Sequence, residues 1–140
     1  MTRIQILLRR AKKTFRVAEG LLRDDAPEDA AARVYYGYFY VAQALLLTEG
    51  LRFSSHGQIL GQYGLRFAQP EKLDRRFHRL LRRAFELRQV ADYQVEIAID
   101  PDNVAELIEE GKAFLAAAVA LLRRSYDLVR EQQARKYGTA

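Results

Sequence analysis

Ile4, Leu8, Ala11, Phe15, Ala18 and Leu22 recur at alternating steps of four and three, the spacing of one face of an amphipathic helix. Arg9, Arg10, Lys12, Lys13 and Arg16 fall mostly outside that stripe. The pattern breaks at Asp24-Asp25-Ala26-Pro27, where Asp25 and Glu28 have capping-box spacing and Pro27 suits the first turn of a second helix. That helix is predicted to run to about Glu49. It carries Ala31, Val34, Tyr35, Tyr38, Phe39, Ala42, Leu45 and Leu46, an apolar surface broad enough for the central, most buried element, and Gly50 is placed to end it.

After a short loop over Leu51 to Phe53, Ser55 and Gln58 repeat the capping spacing and start a short helix with Ile59, Leu60 and Tyr63. Gly57, Gly61 and Gly64 weaken the regularity of that helix. Pro70 is expected to open a strongly charged helix from about Glu71 to Ile97, with Leu73, Phe77, Leu81, Ala84 and Ala91 inward; Gln94 to Ile99 reads alternatively as briefly extended. Asp100-Pro101 marks another N-cap followed by proline, and Val104, Leu107, Ile108, Leu115, Ala118 and Leu121 make a last helix to about Gln133, with residues 134–140 as a frayed tail. No segment sustains period-2 alternation and the connections are short. The expected fold is therefore all-α, an antiparallel up-and-down bundle of four long helices plus one short helix, forming one domain over residues 1–140.

Composition narrows the function classes. A chain of 140 residues with 49% hydrophobic and 29% charged side chains is ordinary for a folded domain with its own core. The absence of cysteine removes disulfides, thiolate metal sites and Cys nucleophiles, and fits an intracellular protein. The apolar run Ala113 to Leu122 is shorter than the roughly 20 residues of a membrane span, and the N-terminus lacks a signal-peptide pattern, so the expectation is a cytoplasmic protein. Scarce Asn and Met beside abundant Arg and Glu point toward a thermophilic source. A net charge of +5 suits an anionic partner. On the fourth helix Lys72, Arg75, Arg76, Arg79, Arg82 and Arg83 are interleaved with Glu71, Asp74 and Glu86, as on a solvated face. The N-terminal basic cluster is less compensated and is the better candidate for contacting RNA backbone or an acidic partner.

Phosphate-binding loops, dinucleotide fingerprints, zinc-protease and nucleophile-elbow motifs are all missing, and His56 and His78 have no partner at metal-ligand spacing. Neither a metal nor a cofactor is expected. Two constellations stand out. Arg33, Tyr36, Tyr40 and Gln43 share one polar-tipped stripe of the second helix, beside an apolar stripe of Tyr35, Phe39, Ala42 and Leu46. These rings read either as core or dimer interface, or as a nucleotide-facing surface. Arg88 and Asp92, one turn apart, read either as a local ion pair or as an anion site in which Asp92 orients the guanidinium and the Tyr93 hydroxyl lies near the same phosphate.

The order Arg33-Val-Tyr35-Tyr36-Gly-Tyr-Phe39, Ala42, Ala44-Leu45-Leu46, Gly50, Ser55-His56-Gly57 and Arg88-x-x-Ala91-Asp92-Tyr93 covers most of the chain. It resembles the small prokaryotic HEPN-domain proteins, all-helical partners of minimal nucleotidyltransferases in two-gene, toxin–antitoxin-type cassettes. The resemblance implies a bundle similar to the helical domain of aminoglycoside nucleotidyltransferases, a homodimer whose interface includes the fourth helix, and a separately encoded minimal nucleotidyltransferase as partner. In toxin members of the wider family, an Arg with four to six residues between it and a His cleaves RNA at the dimer interface without metal. This sequence departs there: Arg52 and His56 are one residue too close, and Arg88 is followed at that place by Tyr93. Tyr, with a reference pKa near 10, is a poor general base beside His. The resemblance therefore implies a regulatory module that binds nucleotide or RNA through Arg33, Tyr36, Tyr40, Arg88, Asp92 and Tyr93. The alternative it carries is an endoribonuclease using Arg88 with Tyr93, or with His56 acting across a dimer; a helical assembly protein without ligand is a third reading.

Overall fold

The computed structural model describes residues 2–137, and among them the chain is all-helical. Helix α1 spans Arg3–Arg23. It is opened by a capping box that the hydrophobic pattern does not announce: the Thr2 hydroxyl accepts from the Gln5 amide at 3.2 Å while the Gln5 side chain accepts from the Thr2 amide at 3.0 Å. Its buried stripe is Leu7, Ala11, Thr14, Phe15 and Ala18. Ile4 and Leu8, expected on that stripe, are only half-buried. Thr14 is tolerated inside because its hydroxyl donates to the Arg10 carbonyl at 2.7 Å.

Helix α2, Pro27–Thr48, is the central element, with Tyr35, Tyr38, Val41, Ala42 and Leu45 wholly buried. Pro27 opens it, but the expected Asp25–Glu28 box does not form. Asp25 takes a left-handed backbone, φ 60°, and Ala26 occupies the cap without a side-chain bond. Gly50, at φ 74°, ends the helix in the conformation that glycine alone adopts without strain. Helix α3 covers His56–Tyr63, with the Ser55 hydroxyl accepting from the Gln58 amide at 3.4 Å. It runs directly into a π-helical turn, Gly64–Ala68.

Helix α4 is shorter than the sequence suggests, Arg76–Tyr93 rather than Glu71 to Ile97. Glu71 has φ 54°, which breaks the helical path, and the chain closes the π-helical turn through Lys72 N–H donating to the Phe67 carbonyl at 2.9 Å. The Asp74 carboxylate then accepts from the Arg76 amide at 2.9 Å and starts the helix anew. Gln94 to Asp100 is non-helical, tethered by buried Ile99. Helix α5, Pro101–Tyr137, begins where Asp100 accepts from the Asp102 amide at 2.9 Å and extends beyond the expected stop near Gln133. Of the predicted frayed tail, residues 134–137 are helical and the rest lies outside the described residues.

Helices α1, α2, α4 and α5 pack as an up-and-down bundle, with α3 laid across α2 and α4. Phe15 is the wedge between three of them, its ring held against the backbone of Gly37 on α2 and of Gly111 on α5. Phe114 stacks on Phe77 at 5.1 Å and on Tyr38 at 5.8 Å, and the Tyr38 hydroxyl donates to the Leu107 carbonyl at 2.8 Å. No helix among the described residues is long and apolar enough to cross a membrane.

Candidate functional site

The Ser55 cap sets the first turn of α3 so that the His56 ring faces α2. It lies 4.7 Å from the Phe39 ring and 5.5 Å from Tyr35, with Phe85 of α4 at 6.3 Å. The Tyr35 hydroxyl is hydrogen-bonded to His56 Nδ1. Burial raises the phenol well above its ordinary pKa, so Tyr35 stays protonated, and its ring is fully buried. The phenol therefore donates, Nδ1 accepts, and the neutral imidazole carries its proton on Nε2.

From the other side, α4 brings Phe85, Arg88 and Asp92 to the same place, residues three and four apart on one helix face. The Arg88 guanidinium carbon stands 5.0 Å from the Tyr36 ring centre and 5.4 Å from that of Tyr35, and Nε donates to Asp92 Oδ2 at 3.2 Å. Arg88 is only 21% exposed, so two ring faces and one carboxylate hold the guanidinium in place. Tyr36 continues to Tyr40 at 6.3 Å, and Arg10 of α1 covers the Tyr40 ring at 5.6 Å. The result is a half-exposed row, Arg10, Tyr40, Tyr36, Arg88, with a guanidinium at each end.

Of the residues singled out in the sequence, Tyr36, Tyr40, Arg88, Asp92 and His56 come together within one chain. Arg33 is exposed and makes none of these contacts. Tyr93, at the last position of α4, is 78% exposed and five residues from Arg88, on a different side of the helix from Asp92. Sequence reasoning missed Arg10, Tyr35 as the partner of His56, and the Phe39 and Phe85 walls. For Arg10 the only signal was its place in the basic cluster. One face of Tyr36 is covered by Arg88, so the row offers fixed cations and phenol hydroxyls more than free stacking surfaces. No group of three or more metal-binding side chains occurs among the described residues.

Electrostatics give His56 a measurable signature. Desolvation, and secondarily the Arg88 charge, lowers its pKa; desolvation and Arg82 do the same for His78, against a hydrogen bond to the Leu60 carbonyl. Both rings bind protons less readily folded than unfolded, so stability is complete above the ordinary histidine value near 6.5 and falls as pH drops below it, levelling off beneath the folded pKa values. The melting temperature is expected to fall between about pH 7 and about pH 5. Replacing both rings with Gln should flatten that dependence, and a wild-type melting temperature constant across the window would contradict the assignment.

Comparison with known proteins adds kinship to this geometry. A family model described as HEPN domain matches residues 4–124. A UPF0332 protein of Thermotoga maritima is 32% identical over 119 residues, 85% of this chain and 90% of that one. Two proteins of Methanocaldococcus jannaschii whose descriptions read "putative toxin" are each 30% identical over 112 residues; the match covers 80% of this chain and 76% and 83% of theirs.

Proposed function

The chain belongs to the HEPN-domain family, and from that premise we propose that it is a toxin-type HEPN module, one helical domain that binds the phosphates of a nucleotide or RNA on the face formed by Arg10, Tyr40, Tyr36 and Arg88. The observation that carries this reading is the Arg88 guanidinium, held 5.0 and 5.4 Å over two tyrosine rings and bonded through Nε to Asp92. Its remaining N–H groups are pre-oriented, so little side-chain entropy is lost when an anion arrives. The descriptions of the two Methanocaldococcus relatives support the toxin role. The resemblance supports a cytoplasmic homodimer acting with a separately encoded minimal nucleotidyltransferase.

Binding is favoured over turnover by the state of His56. Its Nδ1 is engaged by Tyr35, its Nε2 carries the proton, and its lowered pKa keeps it neutral at pH 7, so it offers a hydrogen-bond donor rather than a base. The second reading, a metal-independent endoribonuclease, draws on the one fact that His56 and Arg88 face the same Tyr35 ring.

One experiment separates the two. Labelled single-stranded and structured RNA are titrated with the purified protein in EDTA, following anisotropy and strand integrity together, beside Arg88→Gln and Arg10→Gln. We expect intact RNA and affinity that falls steeply with salt. In each variant affinity should drop about tenfold and the salt slope shrink by about 0.7 for a single strand, the share of one phosphate contact. Cleavage that survives EDTA and disappears in Arg88→Gln would replace the binding reading with the nuclease. Affinity unchanged in both variants would remove this face from consideration.

A further inference from the structure

Leu8 is half-buried because it lines an open groove between α1 and α5. Three clefts follow one another along it. The first, about 610 Å³, has Phe15, Leu115, Ala116 and Val119 in its lining; the second, about 450 Å³, shares Leu115 and Val119 and adds Leu8. The third, about 410 Å³, shares Leu8 and Val119 and continues along Ile4, Leu122 and Tyr126. On α1 the groove reaches from Ile4 to Glu19, about 22 Å at the α-helical rise, which is four turns of helix.

The floor is apolar and the banks are cationic. Arg9, Lys12 and Arg16 rise from α1, and Lys112 and Arg123 from α5. At one end Lys112 is already paired with Glu19 at 2.9 Å and Glu109 at 3.3 Å, and Asp127 lies at the other, so among the described residues the free cations of the banks are Arg9, Lys12, Arg16 and Arg123. We propose that this groove is the docking surface for an acidic amphipathic helix of a partner protein, seated with its apolar stripe on Leu8, Leu115 and Val119 and its carboxylates on the two banks. Helix-in-groove recognition needs those two features, an apolar trough one helix wide and anchors at helical spacing.

Charge argues against a second copy of this chain as the occupant, since α1 holds seven Lys and Arg against one Glu and would meet its own kind. The floor argues against nucleic acid, whose phosphates would leave the leucines and valine uncovered. The groove is separate from the row ending in Arg88, so the two readings stand or fall independently.

The test uses the full chain and a synthetic helical peptide of about four turns, with Leu at i, i+3, i+4 and i+7 and Glu on the flanks. A scrambled peptide of the same composition is the control. We expect the patterned peptide to bind in low salt, the scrambled one to fail, and Ala116→Glu to weaken binding about tenfold by placing a like charge on the exposed floor. The circular dichroism spectrum and urea melt of Ala116→Glu should match the wild type, which reports that the variant is folded, and any RNA affinity of the wild type should be unchanged in it. Equal binding of both peptides, or of neither, would overturn the proposal. So would a wild-type dimer in sedimentation that Ala116→Glu splits, which would assign the groove to a second copy, or a parallel loss of RNA affinity, which would assign it to nucleic acid.

Discussion

Alanine at Gly37 is expected to destabilise the bundle by about 2 kcal/mol, although the same change in an exposed helix position is stabilising by up to about 1 kcal/mol. A Cβ at Gly37 would lie 2.6 Å from Cζ of Phe15, far inside van der Waals contact. The ring has nowhere to go, because a Cβ at Gly111 on the opposite side would also fall 2.6 Å from Cζ, with Tyr38 Cε2 at 3.1 Å behind it. Overpacking a closed core costs about 1–3 kcal/mol and outweighs the helix-propensity gain. Gly61 on α3 has nothing within 4 Å of the corresponding position, so Gly61→Ala should move stability the other way. Urea melts of the two variants should therefore shift in opposite directions. Trimming the wedge supplies the causal check: in a Phe15→Leu background, itself destabilised, the additional cost of Gly37→Ala should shrink or reverse. Parallel shifts for Gly37 and Gly61, or strict additivity with Phe15→Leu, would show that the ring is not the obstacle.

Tyr35→Phe removes one oxygen and is expected to cost about 1–3 kcal/mol, the penalty for leaving an inward-facing acceptor unpaired. The acceptor is Nδ1 of His56, and the phenol that serves it is wholly buried. The ring at position 35 remains, so Arg88 keeps both aromatic surfaces. Losing a donor that favours the neutral imidazole raises the His56 pKa, while burial and the Arg88 charge still hold it below the ordinary value. Thermal denaturation together with a His56 NMR titration tests both halves. An unchanged melting temperature and an unchanged titration would sink the Tyr35 to His56 assignment and, with it, the argument that His56 is occupied.

Elements whose ends are written in local chemistry were legible in advance. Ser55, Asp100 before Pro101, and Gly50 all act at the places their residue types predict, because a cap depends on neighbours within three or four positions. Two of the misread ends are those where a residue without a glycine's freedom takes a left-handed backbone. Asp25 turns away from its capping place, and Glu71 delays α4 despite Pro70. The site divides in the same way. Arg88 and Asp92, or Tyr36 and Tyr40, pair by helix periodicity and can be read from spacing. Tyr35 with His56, and Arg10 with Tyr40, join segments that only the packing of α1, α2 and α3 brings side by side. Leu8 shows a further boundary: periodicity marks a residue as apolar and aligned, yet it does not say whether a neighbouring helix covers it.

The length of α5 has a dynamic consequence. From Arg123 onward every described side chain except that of Ala134 is exposed, so this outer stretch is helical with almost no tertiary packing behind it. An isolated stretch of that size sits near the limit at which helix and coil balance in water, where local hydrogen bonds barely offset backbone entropy. The inner part of α5 is therefore expected to melt only with the bundle, and the outer part to exchange with coil on the sub-microsecond scale of helix–coil relaxation. On that expectation one continuous helix behaves as two cooperative units, divided just past Leu122, where exposure begins and the groove opens toward Tyr126.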